Sequence, residues 1–240
     1  MTRLDDPALV ASEYADDARL RRRASAYTGA GTAIDGRTSV VAAVAEARPR
    51  RILEVGCGWG ELAEWLGRDT GAEVVATDLS PHMVELARGR GVAAEVADVQ
   101  ELPFEDGAFD VAVAAWMLYH VPDLDRGLAE LARVLRPGGR LVAVTNSRLH
   151  LHELRELVGS GPSTISFSRE SGEEILRRHF ADVRRADIDG TLEFADRAAV
   201  EEYVRASISM SPFVANLPAT VAEPFVARRA NSVFVAEKAA

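Results

Sequence analysis

From Thr38 onward, short apolar runs alternate with segments in which apolar residues recur every three or four positions, the pattern of strands and amphipathic helices taken in turn. The run Arg51-Ile52-Leu53-Glu54-Val55 stops at Gly56 and reads as a buried central strand, preceded by a helix from Ser39 to Ala47 that ends before Pro49. A helix from Glu61 to Arg68 leads to a second strand, Glu73 to Thr77. Ser80-Pro81 then supplies an N-cap with proline at the first helical position, starting a helix that carries Met83, Val84, Leu86 and Ala87. Further strands are expected at Ala93 to Ala97, Phe109 to Ala115 and Leu141 to Val144. Between the last two, Leu124, Leu128, Leu131, Val134 and Leu135 share one helical face, which Pro137-Gly138-Gly139 should terminate. Beyond Asn146 the pattern predicts helices at Leu149 to Val158, Glu173 to His179 and Ala198 to Ser207, and strands at Val183 to Ile188 and Ser232 to Ala236. The segment Ser207 to Glu223 reads as an insertion or lid. This alternation argues for βαβ units around a parallel sheet.

Composition narrows the class. With 240 residues, 48% hydrophobic and 27% charged, the chain can bury a proper core. A net charge of -9 argues against a nucleic-acid partner, because counterion release favours basic faces. Every basic residue except Lys238 is arginine, which reads as a coding preference rather than as chemistry. The single cysteine, Cys57, allows no intramolecular disulfide. The acidic N-terminus lacks the order of a signal peptide, and the longest apolar stretch, Val111 to Leu118, is too short to cross a bilayer. The expectation is a cytoplasmic protein, monomeric or homodimeric, with no membrane partner and one domain over 1–240. Within it, 1–37 would form an N-terminal helical lid, 38–147 a cofactor-binding core, and 148–240 the substrate side and sheet closure.

Chemistry concentrates in Glu54-Val55-Gly56-Cys57-Gly58-Trp59-Gly60, a glycine loop between a buried strand and a helix, with Asp78 closing the next strand. In a doubly wound sheet both lie at the carboxyl edge, where ligands bind. Glycines let backbone approach a ligand, and Asp78 can accept from two vicinal ribose hydroxyls. The nicotinamide fingerprint requires a small residue where Glu61 stands, and a carboxylate there opposes a pyrophosphate. A nucleoside without phosphates suits the loop better.

Five segments in order resemble the class I S-adenosylmethionine-dependent methyltransferases, in their small-molecule subgroup. They are Leu53 to Gly60, Thr77-Asp78-Leu79-Ser80-Pro81-His82-Met83, Ala97 to Phe104 followed by Phe109-Asp110-Val111, Leu118-Tyr119-His120-Val121, and Leu135-Arg136-Pro137-Gly138-Gly139. The resemblance covers Arg50 to Asn146. It implies a Rossmann-like, doubly wound α/β fold with a seven-stranded, mostly parallel sheet and a helical lid, binding S-adenosyl-L-methionine. It also implies that Gly56, Gly58 and Gly60 pack on the methionyl and ribose parts, with Cys57 between them as a small filler. Asp78 would hold the ribose, Leu79 and Met83 would flank the adenine, and Asp98 with the Val99 N–H would read its edge. Glu54 would face the amino group, Ala115 and Trp116 would lie near the sulfonium, and Tyr14 with Arg19 or Arg23 would close over the methionyl end.

Transfer from a sulfonium is an in-line displacement that alignment can largely supply. His120 is read either as a base or as a residue that orders its loop. Tyr119, His120, Asn146, His150, Phe167, Tyr203 and Met210 are expected in a substrate pocket, and the pair His150 and His152 has no carboxylate cluster to complete a metal site. The expected reaction is methyl transfer to an oxygen or nitrogen of a small molecule, in the manner of natural-product biosynthesis. A nicotinamide oxidoreductase and a non-catalytic S-adenosylmethionine-binding subunit are the alternatives.

Overall fold

The computed structural model describes residues 4–27 and 36–240. Part of the expected N-terminal lid, 1–3 and 28–35, lies outside the described residues. Two short helices, α1 (Pro7–Glu13) and α2 (Ala18–Ser25), precede α3 (Gly36–Glu46). Then β1 (Arg51–Val55), α4 (Glu61–Thr70), β2 (Glu73–Asp78), α5 (Pro81–Gly89), β3 (Ala93–Val96) and β4 (Phe109–Ala115) follow with the expected alternation. Local chemistry sets these boundaries. Ser80 Oγ accepts from the Met83 N–H at 3.3 Å at the start of α5, while α4 closes at Gly71, whose φ of +70° suits a residue without Cβ.

After α6 (Leu124–Val134) comes β5 (Leu135–Asn146), which corrects two expectations. The helix ends at Val134, and Pro137-Gly138-Gly139 lies inside the strand instead of separating the two. Leu135 already pairs with Phe109, and a register shift between Phe109 and Val111 absorbs the irregular segment. The helix expected from Leu149 is shorter, α7 (His152–Val158), because Leu151 sits at φ +56° just before it. The next helix is likewise shorter, α8 (Gly172–Leu176). The two last strands are far longer than expected: β6 (Asp182–Phe194) and β7 (Phe225–Glu237) pair antiparallel along their whole length. Helix α9 (Arg197–Ala206) and a 3-10 turn (Ser211–Asn216) lie between them, and Asp196 caps α9 by accepting from the Ala199 N–H at 2.8 Å.

The sheet order is β3-β2-β1-β4-β5-β7-β6, parallel except for β7. Order reverses between β1 and β4, so the crevice beyond their carboxyl ends is the topological switch point where such sheets bind ligands. Both faces of the sheet are covered. One carries Leu53, Phe109, Leu128, Leu131 and Phe167, and the other Val40, Val44, Ile52, Val111 and Val142. Pairing of β5 with β7 stops at Asn146↔Asn231, while β7 continues against β6 to Phe225. The two strands therefore overhang the sheet. Beneath the overhang α7, α9 and the 3-10 turn form a further apolar cluster around Leu154, Phe194, Val200, Tyr203 and Leu217.

Candidate active site

A cavity of about 500 Å³ opens at the switch point, within the range of small-molecule sites. Its walls come from the carboxyl ends of β1, β2, β4 and β5, from α1 and α2 above them, and from the overhang beyond. Of the expected residues, Tyr14, Glu54, Gly56, Cys57, Gly58, Asp78, Leu79, Asp98, Val99, Ala115, Trp116, Tyr119, His120, Asn146, His150, Tyr203 and Met210 line it.

Four expected residues do not. Gly60 has φ +80°, and a Cβ there would fall 2.8 Å from Ala87 Cβ, so its bareness serves the packing of α5 on the loop. Met83 is fully buried away from the cavity. Phe167 packs on Phe234, with ring centroids 5.7 Å apart, in the core of the sheet. Arg19 pairs with Glu13 at 3.1 Å and donates to Ser211 Oγ at 3.3 Å, tying α2 to the 3-10 turn.

Asp78 is fixed by the loop it faces: Oδ2 accepts from the Gly58 N–H and Oδ1 from the Ser80 N–H, both at 2.9 Å. Burial pushes its carboxyl up, and those backbone donors counter part of the rise. Glu54 is only 2% exposed, and its Oε2 has no hydrogen-bond partner among the described residues. Burial first, and the Asp78 charge second, push it up to about 8, against the Ala63 backbone N–H. A buried, unpartnered carboxylate oxygen beside a glycine loop suits the cationic amino end of an amino-acid ligand. Asp98 is held by Gln100, whose backbone N–H donates to Oδ1 at 2.8 Å and whose Nε2 reaches both oxygens. Burial pushes the Cys57 thiol up, which fits a filler and not a nucleophile.

His120 and Tyr14 meet across the cavity. His120 Nδ1 lies 2.7 Å from the Leu4 carbonyl oxygen, which can only accept, so Nδ1 carries the proton and Nε2 accepts from the Tyr14 hydroxyl at 3.0 Å. Burial lowers the imidazole to about 4 and raises the Tyr14 phenol to about 12. Tyr14 is anchored at its backbone too, its carbonyl accepting from Ser80 Oγ at 2.7 Å. Arg23 donates to Glu13 and to the Ala206 carbonyl, the latter at 2.6 Å, joining the N-terminal helices to α9.

The far end of the cavity holds residues that local sequence does not announce: Tyr27, Arg155, Arg229 and Asn231. Asn231 Nδ2 donates to Asn146 Oδ1 at 2.5 Å across the β5–β7 register. His150 and His152 part company. His150 is buried and bonded to Tyr27, whereas His152 faces Glu156 at 3.3 Å one turn along α7. No helix among the described residues is long and apolar enough to cross a membrane.

Residues 53–143 match the family model described as a methyltransferase domain. Among curated proteins, methyltransferase GfsG of Streptomyces halstedii is 38% identical over 155 residues, spanning 61% of this chain and 55% of that protein. The chain spans about half the length of the curated relatives it matches. Among solved structures, the YcgJ protein of Bacillus subtilis has a TM-score of 0.62 at 17% identity, covering 85% of this chain and 99% of that one. The (4+2)-cyclase SpnF also reaches a TM-score of 0.62, at 23% identity, covering 96% of this chain and 95% of that one. These two likenesses carry the fold and not the reaction. Residues 53–143, which hold the loop that joins Gly58 to Asp78, thus match a methyltransferase domain and resemble the class I S-adenosylmethionine-dependent family.

Proposed function

We propose that the protein binds S-adenosyl-L-methionine at the β1–β4 crevice and transfers its methyl group to an oxygen or nitrogen of a small molecule enclosed by α1, α2 and the overhang. The observation that carries this reading is the pair of carboxylates: Asp78 held by the glycine loop, and Glu54 buried with an oxygen free to receive an ammonium. When bound, the cofactor supplies an electrophilic methyl on a sulfonium that is already an activated leaving group. Gly56 and Gly58 leave room for the ligand against backbone, Asp78 takes the ribose hydroxyls, and Asp98 with the Val99 N–H takes the adenine edge. Tyr14 and the N-terminal helices exclude water above it.

Calorimetric titration with S-adenosylhomocysteine tests this reading, and absence of binding would sink it. Glu54 adds a signed expectation. Its folded value is raised, so its contribution to stability is fully present below about pH 4.5 and is lost as pH rises through about 8. Glu54→Gln should therefore flatten the pH dependence of thermal stability between about 5 and 8 and make the ligand-free protein more stable at pH 8.5. The same change should weaken S-adenosylhomocysteine by roughly tenfold or more, since it removes one charge of an ion pair. Wild-type binding at pH 7 should release a proton, detectable as a binding enthalpy that varies with buffer.

His120 is neutral at pH 7 and its Nε2 lone pair already receives the Tyr14 hydroxyl. A proton leaving the acceptor can pass to the Tyr14 oxygen while the Tyr14 proton moves to Nε2, a two-step general-base route that needs both groups. Tyr14→Phe and His120→Ala should each lower kcat by roughly 10²-fold with cofactor affinity within a few-fold of wild type. Unchanged turnover in both variants would leave alignment alone to carry the chemistry.

A further inference from the structure

The carboxylates of the cavity wall are gathered at one end, and two of its arginines are engaged, Arg23 with Glu13 and Arg37 with Glu61. Those carboxylates, Glu54, Glu61, Asp78 and Asp98, all stand at the β1–β3 side. The opposite end, under the overhang, presents Arg155 and Arg229 and no carboxylate among the described lining residues. Arg155, on α7, donates to Ser209 Oγ at 3.0 Å but forms no ion pair among the described residues, and its Nε is buried without a hydrogen-bond partner. A half-buried guanidinium beside an apolar cluster, with a buried Nε–H to spare, is suited to an anion.

A second, independent observation points the same way. The Ala230 N–H donates to His150 Nδ1 at 3.1 Å, so the buried neutral imidazole carries its proton on Nε2 and donates it to Tyr27 Oη at 3.1 Å. Tyr27 and Tyr203 then share one bond, also 3.1 Å, between two hydroxyls. Two hydroxyl hydrogens compete for that single bond, and one O–H is left over to donate to whatever enters. Both phenols line the cavity, and Tyr203 is 6% exposed, so water offers it little.

Resting on the methyltransferase reading above, we propose that the methyl acceptor is an anion whose carboxylate or phosphate is held by the Arg155 guanidinium and by the surplus hydroxyl of the Tyr27–Tyr203 pair. The acceptor's reacting oxygen or nitrogen then lies toward Tyr14 and His120, at the boundary between the two ends of the cavity. The proposal gives an acidic protein an anionic substrate, because the local charge at the far end of the cavity and not the net charge governs what binds there.

The test is calorimetry on the full chain. S-adenosylhomocysteine is titrated first, and the saturated complex is then titrated with 4-hydroxybenzoate, 4-hydroxyphenyl phosphate and the neutral 4-hydroxybenzamide. At least one anion should bind tenfold or more tightly than the amide, and the better of the two identifies the anion class. In Arg155→Gln that preference should fall below threefold while S-adenosylhomocysteine affinity stays within twofold, and Arg155→Lys should restore part of it. Tyr203→Phe should weaken the preferred anion by about three- to tenfold. Equal binding of the three probes, no binding of either anion, or loss of S-adenosylhomocysteine affinity in Arg155→Gln would overturn the proposal. Failure of the wild type to bind S-adenosylhomocysteine would instead overturn the cofactor reading beneath it.

Discussion

Asp78→Ala is expected to weaken S-adenosylhomocysteine by roughly 10²–10⁴-fold. A carboxylate offers about four lone-pair positions, and the Gly58 and Ser80 N–H groups occupy two of them, leaving two for a vicinal diol. Each charge-assisted bond removed costs about 1.5–3 kcal/mol, so losing the pair accounts for about 3–6 kcal/mol. The substitution also strands the Gly58 N–H, which then has to find water inside the loop. Asp78→Asn is the informative companion. An amide has one acceptor oxygen and a donating nitrogen, so it cannot serve both Gly58 and Ser80. It should fall close to alanine despite its shape. Near-wild-type affinity in Asp78→Asn would mean that the carboxylate charge is not used.

Gly60→Ala is expected to cost about 2–5 kcal/mol of stability without touching the cavity wall. At φ +80° an L-residue is strained by about 1–2 kcal/mol, and the new Cβ would also meet Ala87 Cβ at 2.8 Å and Ala87 Cα at 2.9 Å. Backbone cannot yield as a side-chain tip can, so overpacking adds about 1–3 kcal/mol. Thermal unfolding of the ligand-free protein should move down by roughly 4–20 °C for a chain of this size. Gly71 is the control: its φ is +70° and nothing lies within 4 Å of a Cβ there, so Gly71→Ala carries the conformational term alone. Equal shifts for the two variants would show that α5 can give way.

The contrast between the two glycines marks what a sequence can and cannot disclose. The parallel half of the sheet was legible because each strand, its cap and its acidic end are encoded within a few residues: Val55 before the loop, Asp78 before Ser80-Pro81, Asp98 after Val96. The role of Gly60 was not, since it depends on Ala87, a residue of the next helix. The same reason hid the far end of the cavity. Arg155 and Tyr27 are unremarkable in their own neighbourhoods, and their partners are distant in sequence: His150 and Tyr203 for Tyr27, Ser209 for Arg155, around the overhang of β6 and β7, 13 residues each. Both strands outrun the sequence pattern because Asp189 to Phe194 pairs with Phe225 to Ala230 beyond the end of β5, where Asp189, Gly190, Arg228 and Arg229 interrupt any apolar run. Helix α6 ends before its apolar stripe does for a related cause: Leu135 continues the stripe, yet its pairing with Phe109 takes it into the sheet.

The overhang of β6 and β7 has a further consequence for how such a protein changes over generations. Its free end, where Phe194 pairs with Phe225, lies on the far side of Asn231 from every strand that carries a carboxylate of the cofactor cradle. Residues can be added to or removed from that end in register, two at a time, without shifting the pairing of β5 with β7 or the parallel strands behind it. Helix α9 and the 3-10 turn are strung between the same two strands, so they would be carried along with the change. Change at this end would thus reshape the far end of the cavity and leave the β1–β4 crevice unaltered.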